Sequence, residues 1–255
     1  MTAPTTSQSE RHAPPTPETR GSTQRRWTRR LAGASVSFVV LFFAGLVFLA
    51  SLPDVNDAES RVDAILATHH SHDSGQPVPE KLGRAIVAVE DARFYEHHGI
   101  DVQGVTRALW GTLTRRPGDQ GGATITQQLA KVLYGTGDGW TVKAAQVGLA
   151  LKFEARYNKA QILEMYLNAV YFGDGQWGAD AACATYFHKT CNRLDWAEAS
   201  LLAGLPQAPS SYDPTRHFTT ARARQRHVLD RLVADGQLNH HQADTAYDEL
   251  TTLAR

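Results

Sequence analysis

Apolar positions along this chain fall at helical spacing over most of its length. From Glu80 onward Leu82, Ile86, Val89 and Phe94 recur three to five residues apart, the period of one helix face. The pattern resumes over 101–113 with Val102, Val105, Leu109 and Leu113 inward. It predicts further helices over 125–134 and 141–169, the second broken near Tyr157–Asn158. Two Ala/Leu-rich helices are predicted over 178–187 and 195–205, and two amphipathic ones in the last 40 residues. VDAILATHH (62–70) is a short amphipathic segment, and HHSHDSGQP from His69 is a solvated polar loop. Pro and Gly mark a loop at 114–122, the glycines 173, 175 and 178 mark a turn region, and 207–214 is a surface loop. No segment alternates as a strand and no internal repeat is present. The fold class is mainly α.

One apolar stretch is of a different kind. Residues 31–52 carry no charge, and about 20 apolar residues suffice for a helix to span a bilayer. Arg25, Arg26, Arg29 and Arg30 precede it, which keeps the N-terminus cytoplasmic and sends the remainder outside. A cleaved signal peptide is the alternative, but the run is longer than an h-region and no A-x-A-like site follows it cleanly. Residues 1–30 hold six Arg against two Glu among Pro, Thr and Ser, so they read as a disordered basic tail. The expected organisation is a tail over 1–30, a transmembrane helix over 31–52, a juxtamembrane linker over 53–77 and one domain over 78–255. The basic arm is a topology signal that suits anionic headgroups. Nucleic acid is not an expected partner, because the arm is short and the domain is not basic. Cys183 and Cys191 are candidates for a disulfide in an oxidising exterior, with two buried thiols as the other possibility.

Two segments carry candidate chemistry. In EDARFYEHHG, Glu90 stands four residues from both Ile86 and Phe94, which puts a carboxylate on an apolar helix face. Desolvation there raises its pKa toward values suited to a general base. Asp91 points away from that face, and His97 follows two turns later. A surface Glu paired with Arg93 or His97 is the competing reading. In GGATITQQLAK, Gly121 and Gly122 permit close backbone approach. Thr124 and Gln127 fit a capping box, and the free N–H groups at the helix start favour an anion. Thr124, Gln128 and Lys131 share one face at i, i+4 and i+7, a face suited to a diphosphate or to sugar hydroxyls. An ordinary capped helix with a polar surface is the competing reading.

Read together with later segments, the chain resembles the peptidoglycan glycosyltransferases of glycosyltransferase family 51. These occur as single-domain enzymes and as the N-terminal half of class A penicillin-binding proteins. Glu90, Asp91, Phe94, His97 and Gly99 match the family's E-D-x-x-F-x-x-H-x-G. Gly121, Gly122, Thr124, Ile125, Thr126, Gln127, Gln128 and Lys131 match its G-G-S-T-I-T-Q-Q-x-x-K. Ile162 to Asn168 match I-L-E-x-Y-L-N, with Glu164 and Asn168 as candidate substrate contacts. The resemblance implies a lysozyme-like, two-lobed transglycosylase domain behind a single transmembrane helix. It implies polymerisation of lipid II, with Glu90 deprotonating the acceptor 4-hydroxyl and undecaprenyl diphosphate leaving. Phe94, His97, Thr124, Gln128, Lys131 and Lys143 are then substrate contacts, and Glu90, Asp91 and Gln146 catalytic. The implied partners are lipid II, the growing glycan strand, the membrane, and a transpeptidase or a divisome or elongasome protein. No cofactor is assigned, although the diphosphate chemistry admits a divalent cation, Mg²⁺ or Mn²⁺.

Departures from the family pattern are concentrated in one place. Ala123 replaces Ser and Val132 replaces Asn. The family's R-K-x-x-E falls on Val142, Lys143, Ala144, Ala145 and Gln146, so an Arg and a Glu are missing. Loss of one preorganised charge partner costs on the order of 2–4 kcal/mol of transition-state stabilisation. An impaired homologue that binds lipid II or glycan as a scaffold is therefore the alternative to an active enzyme. A lysozyme-like hydrolase is a third reading, against which the anchor and the diphosphate motif both speak. No S-x-x-K occurs, so no transpeptidase half is expected in this chain.

Overall fold

The computed structural model describes residues 37–71, 73–104, 106, 123–135 and 139–250. It divides into two units, Met1–Ser51 and Leu52–Arg255. In the first unit residues 37–51 form helix α1, whose apolar side chains, Phe38, Leu41 and Val47 among them, stand exposed. No helix among the described residues is long and apolar enough to cross a membrane. The start of the predicted span, 31–36, and the tail before it lie outside the described residues.

The second unit is helical. It comprises α2 (Ala58–Thr68), α3 (Glu80–Glu90), α4 (Ile125–Tyr134), α5 (Trp140–Arg156), α6 (Lys159–Ala169) and α7 (Ala179–Phe187). A 3₁₀ turn (Cys191–Arg193) follows, then α8 (Trp196–Gly204), α9 (Phe218–Ala234) and α10 (His240–Glu249). Among the described residues the only β pairing is an isolated bridge between Tyr171 and Trp177. Local chemistry sets several helix starts. Thr124, Asn158, Asp195 and Asn239 each cap a helix in a reciprocal box with Gln127, Gln161, Glu198 and Gln242, satisfying N–H groups that no intrahelical partner reaches. The Asn158 box explains why the apolar pattern over 141–169 is two helices.

Packing gathers the helices into two sets. Helix α3 lies against α8 and α9, and α4 lies against α5 and α6. Helix α8 is buried from Ala197 to Gly204, as expected of a segment apolar on all sides. Gly204 is needed for close approach, since a Cβ there would stand 2.8 Å from the Arg224 side chain on α9. Cys183 and Cys191 are bonded, tying α7 to the 3₁₀ turn.

Residues 53–77, expected as a linker, are an integral part of this unit. Val55, Ala58, Val62 and Leu66 are core residues. The Lys152 ammonium donates to the Leu52 and Pro53 carbonyls and the Tyr157 hydroxyl to the Val55 carbonyl. The reason is amphipathicity: the buried positions of α2 repeat every four residues, so one face must be covered. The helix expected over 101–113 and the loop over 114–122 fall largely outside the described residues.

Candidate active site

Helix α3 ends on Glu90, and Asp91 leaves the helix with φ −158°. The apolar periodicity that carried the predicted face through to Phe94 therefore stops one residue after Glu90. Glu90 is left at a helix end where it lines a cavity, its side chain only 10% exposed. Gln128 Nε2 of α4 donates to Glu90 Oε2 at 2.9 Å, and the Arg224 guanidinium of α9 donates to Oε1 at 3.3 Å. Burial pushes the Glu90 carboxyl above its ordinary range, the Gln128 bond and the Arg224 charge draw it back, and Asp91 adds a smaller upward push. Neither Arg93 nor His97, the partners weighed from sequence, takes this carboxylate. Arg93 pairs instead with Asp101.

Asp91 and His97 form a separate buried brace. His97 Nε2 lies 2.9 Å from Asp91 Oδ1, and the Gly99 N–H donates to His97 Nδ1 at 3.2 Å. An acceptor Nδ1 assigns the proton to Nε2, which donates to Asp91. Asp91 Oδ2 also accepts from the Ile125 N–H, the first of α4, at 3.0 Å. Gly99 holds φ +84° with the α5 backbone 3.0 Å from where a Cβ would stand, and its carbonyl accepts the Thr124 hydroxyl at 2.8 Å.

This arrangement corrects four expectations. The start of α4 was expected to receive a ligand anion; the anion seated there is the chain's own Asp91, because a buried carboxylate and an unpaired helix-start N–H satisfy each other. Thr124 is 3% exposed and does not line the cavity, since capping and the Gly99 contact consume its hydroxyl. Phe94 is wholly buried, with the Lys159 ammonium 4.4 Å from its ring centre, and His97 is spent on Asp91. The contacts that these side chains make are within the chain.

The remaining predicted residues divide between two cavities. Glu90, Gln128, Lys131, Lys143 and Gln146 line one of about 580 Å³, together with Tyr166, Tyr171 and Trp177. The departures Ala123 and Val132 line it too. Lys131 and Lys143 are exposed, and neither makes an ion pair with a described residue. Glu164 and Asn168 line a different cavity of about 160 Å³, where Asn168 donates to Asp73 Oδ2 at 2.7 Å. They lie on the opposite side of α6 from Tyr166 because positions two residues apart on a helix do not share a face.

Several site residues escaped the sequence reading. Arg224 is one; its signal was its place beside Ala221, Gln225 and Val228 on the buried face of an otherwise basic helix. Tyr166 is another, within the stretch read for Glu164 and Asn168. Glu154 is a third: it accepts from the Thr126 hydroxyl at 2.6 Å and from Lys159 at 2.8 Å, holding α4 to α5 and α6. The His69 ring stacks on Trp177 with centres 4.5 Å apart and planes at 11°, so at least one histidine of the polar loop backs the cavity wall.

The chain is similar to known proteins. The transglycosylase family pattern matches residues 60–233. Penicillin-binding protein 1F of Bacillus subtilis (strain 168) is 35% identical over 222 residues, covering 84% of this chain and 31% of that protein. Penicillin-binding protein 1A of Neisseria flavescens is 41% identical over 172 residues, covering 67% of this chain and 22% of that protein. A crystal structure of penicillin-binding protein 1A from Haemophilus influenzae overlaps with a TM-score of 0.36 at 28% identity, covering 51% of this chain and 16% of that one. The chain spans under a third of the length of these relatives. With most of its second unit inside the family pattern, the chain belongs to the transglycosylase family.

Proposed function

We propose that this domain is a peptidoglycan glycosyltransferase that polymerises lipid II into β-1,4 glycan strands and releases undecaprenyl diphosphate. One observation carries the reading: Glu90, desolvated at a helix end, opens onto the same cavity as Lys131 and Lys143. A carboxylate whose proton affinity is raised by burial is suited to general-base work. Two lysines without described carboxylate partners are suited to an anion.

In this mechanism Glu90 accepts the proton of the acceptor sugar's 4-hydroxyl. The freed oxygen attacks the anomeric carbon of the growing chain, and the bond to the lipid diphosphate breaks with inversion. Lys131 and Lys143 meet the charge that builds on the departing diphosphate. Arg224 and Gln128 hold the carboxylate in place, and Asp91 with His97 keeps the start of α4 in register with it. A divalent cation enters only as a companion of the substrate diphosphate. Hard cations are held through one or two carboxylates plus phosphate oxygens, and among the described residues the carboxylate lining this cavity is Glu90, already tied to Gln128 and Arg224.

The same reading takes the fold as the lysozyme-like, two-lobed domain of the family. It places the chain in the plasma membrane through the apolar run 31–52, with the N-terminus cytoplasmic and the domain outside, beside a substrate that lives in that bilayer. The test is polymerisation of labelled lipid II by the full chain in detergent or liposomes. Strands form with the natural protein, and Glu90→Gln lowers the rate about 10²–10⁴-fold, the usual worth of a positioned base. Undiminished polymerisation by Glu90→Gln removes Glu90 from the mechanism.

A further inference from the structure

Tyr166 is a buried phenol, 1% exposed, that the chemistry above does not use. Its hydroxyl lies 3.1 Å from Gln128 Oε1. An amide oxygen only accepts, so the phenol is the donor. At the other end of the same carboxamide, Nε2 donates to Glu90 Oε2, and an ionised carboxylate only accepts. Both partners therefore demand one orientation of the amide. Turned over, it would set its oxygen against the Glu90 carboxylate and leave the phenol without its acceptor. Burial, with a smaller push from the Glu90 charge, raises the Tyr166 phenol well above its ordinary range, so it remains a donor wherever the enzyme works.

We propose that Tyr166 is a positioning residue for the base: through Gln128 it fixes an N–H on Glu90 and thereby sets the pH at which Glu90 becomes able to take the acceptor's proton. This rests on the reading of Glu90 as general base. Three groups besides Tyr166 act on Glu90, namely Gln128 from α4, Arg224 from α9 and Asp91 at the end of its own helix, and the cationic Lys131 and Lys143 line the same cavity. Of the two side chains that donate to Glu90, Gln128 has its amide turned by a hydrogen bond from another side chain, Tyr166, whereas Arg224 donates as well to the Gly204 backbone carbonyl.

Tyr166→Phe keeps the ring and removes the donor. The Gln128 amide loses its anchor, the bond to Glu90 weakens, and burial then acts on the carboxyl with less opposition. A group that must be ionised to act gains its proton at higher pH, so the acid limb of the rate profile moves upward. The high-pH plateau is retained.

The measurement is the pH profile of lipid II polymerisation by the full chain, for the natural protein, Tyr166→Phe, Gln128→Met and the double variant. The expected result is an upward shift of the acid limb by roughly 0.5–1 pH unit in Tyr166→Phe, the worth of about one net hydrogen bond. Gln128→Met shifts it at least as far, and the double variant shifts it no further than Gln128→Met. Replacing Tyr166 with 3,5-difluorotyrosine, a stronger donor of nearly the same shape, moves the limb the opposite way, and this arm does not depend on the Phe variant folding. A rate loss equal at every pH in Tyr166→Phe, or shifts that add in the double variant, overturns the proposal. Activity in Glu90→Gln, or a natural profile with no acid limb, instead overturns the base reading on which it rests.

Discussion

The two sides of the large cavity are built on opposite plans. Around Glu90 the chain has committed four helices to one carboxylate: α3 delivers it, α4 and α9 each donate to one of its oxygens, and α6 orients one of those donors. Elsewhere on the cavity lining Lys131 and Lys143 are exposed and make no ion pair with a described residue. The difference follows from what each side has to do. A base must hold one geometry and one proton affinity, which needs burial and fixed partners. A cation waiting for a charged group is weakened by any resident carboxylate, so it is better left in solvent until the group arrives.

The comparison breaks most sharply if the lysine side proves dispensable. Lys131→Ala or Lys143→Ala should lower lipid II polymerisation about 10²–10³-fold, the loss seen when one preorganised donor to developing charge is removed. The melting temperature should stay within about one degree, since exposed substitutions far from buried networks usually change stability by under ~0.5 kcal/mol. A large drop in melting temperature would mean that these lysines are structural after all.

The Glu90 side should show the reverse, a stability penalty tied to function. Its folded pKa is raised, so between its ordinary value of 4.5 and the raised value the native state binds more protons than the unfolded chain. Stability therefore falls as pH rises through that window. Glu90→Gln removes this titration, so its melting temperature relative to the natural protein should climb from pH 4 toward neutrality. A constant difference across that range would show that Glu90 is not strained by burial.

The smallest effect is expected from restoring the family's charges on the lysine side. Val142→Arg with Gln146→Glu should raise polymerisation by up to about tenfold, because Lys131 and Lys143 already supply cations there. A gain from no measurable activity to a robust rate would instead mark the natural chain as a binder of lipid II that had lost its chemistry.

Helix positions were readable because the apolar period and the caps act within a few residues. The Thr124 box and the Asn158 break are both local chemistry, and both were legible. Glu90, Gln128, Lys131, Lys143 and Gln146 were legible as a set through the motifs that carry them, and they do line one cavity. A motif names residues but not directions. Asp91, Phe94, His97 and Thr124 stand in the same motifs and turn inward, because the helix ends at Glu90 and the start of α4 needed a carboxylate.

The sequence by itself determined a chain of capped helices, a desolvated glutamate and a pair of lysines, since these depend on neighbours within a turn or two. Only the tertiary structure decided what the glutamate meets. Arg224 reaches it across 134 residues of sequence and Gln128 across 38, and no local pattern encodes which helices will pack. Those long-range contacts fix the carboxylate's proton affinity, because in a buried site the few groups within hydrogen-bond reach outweigh everything farther away.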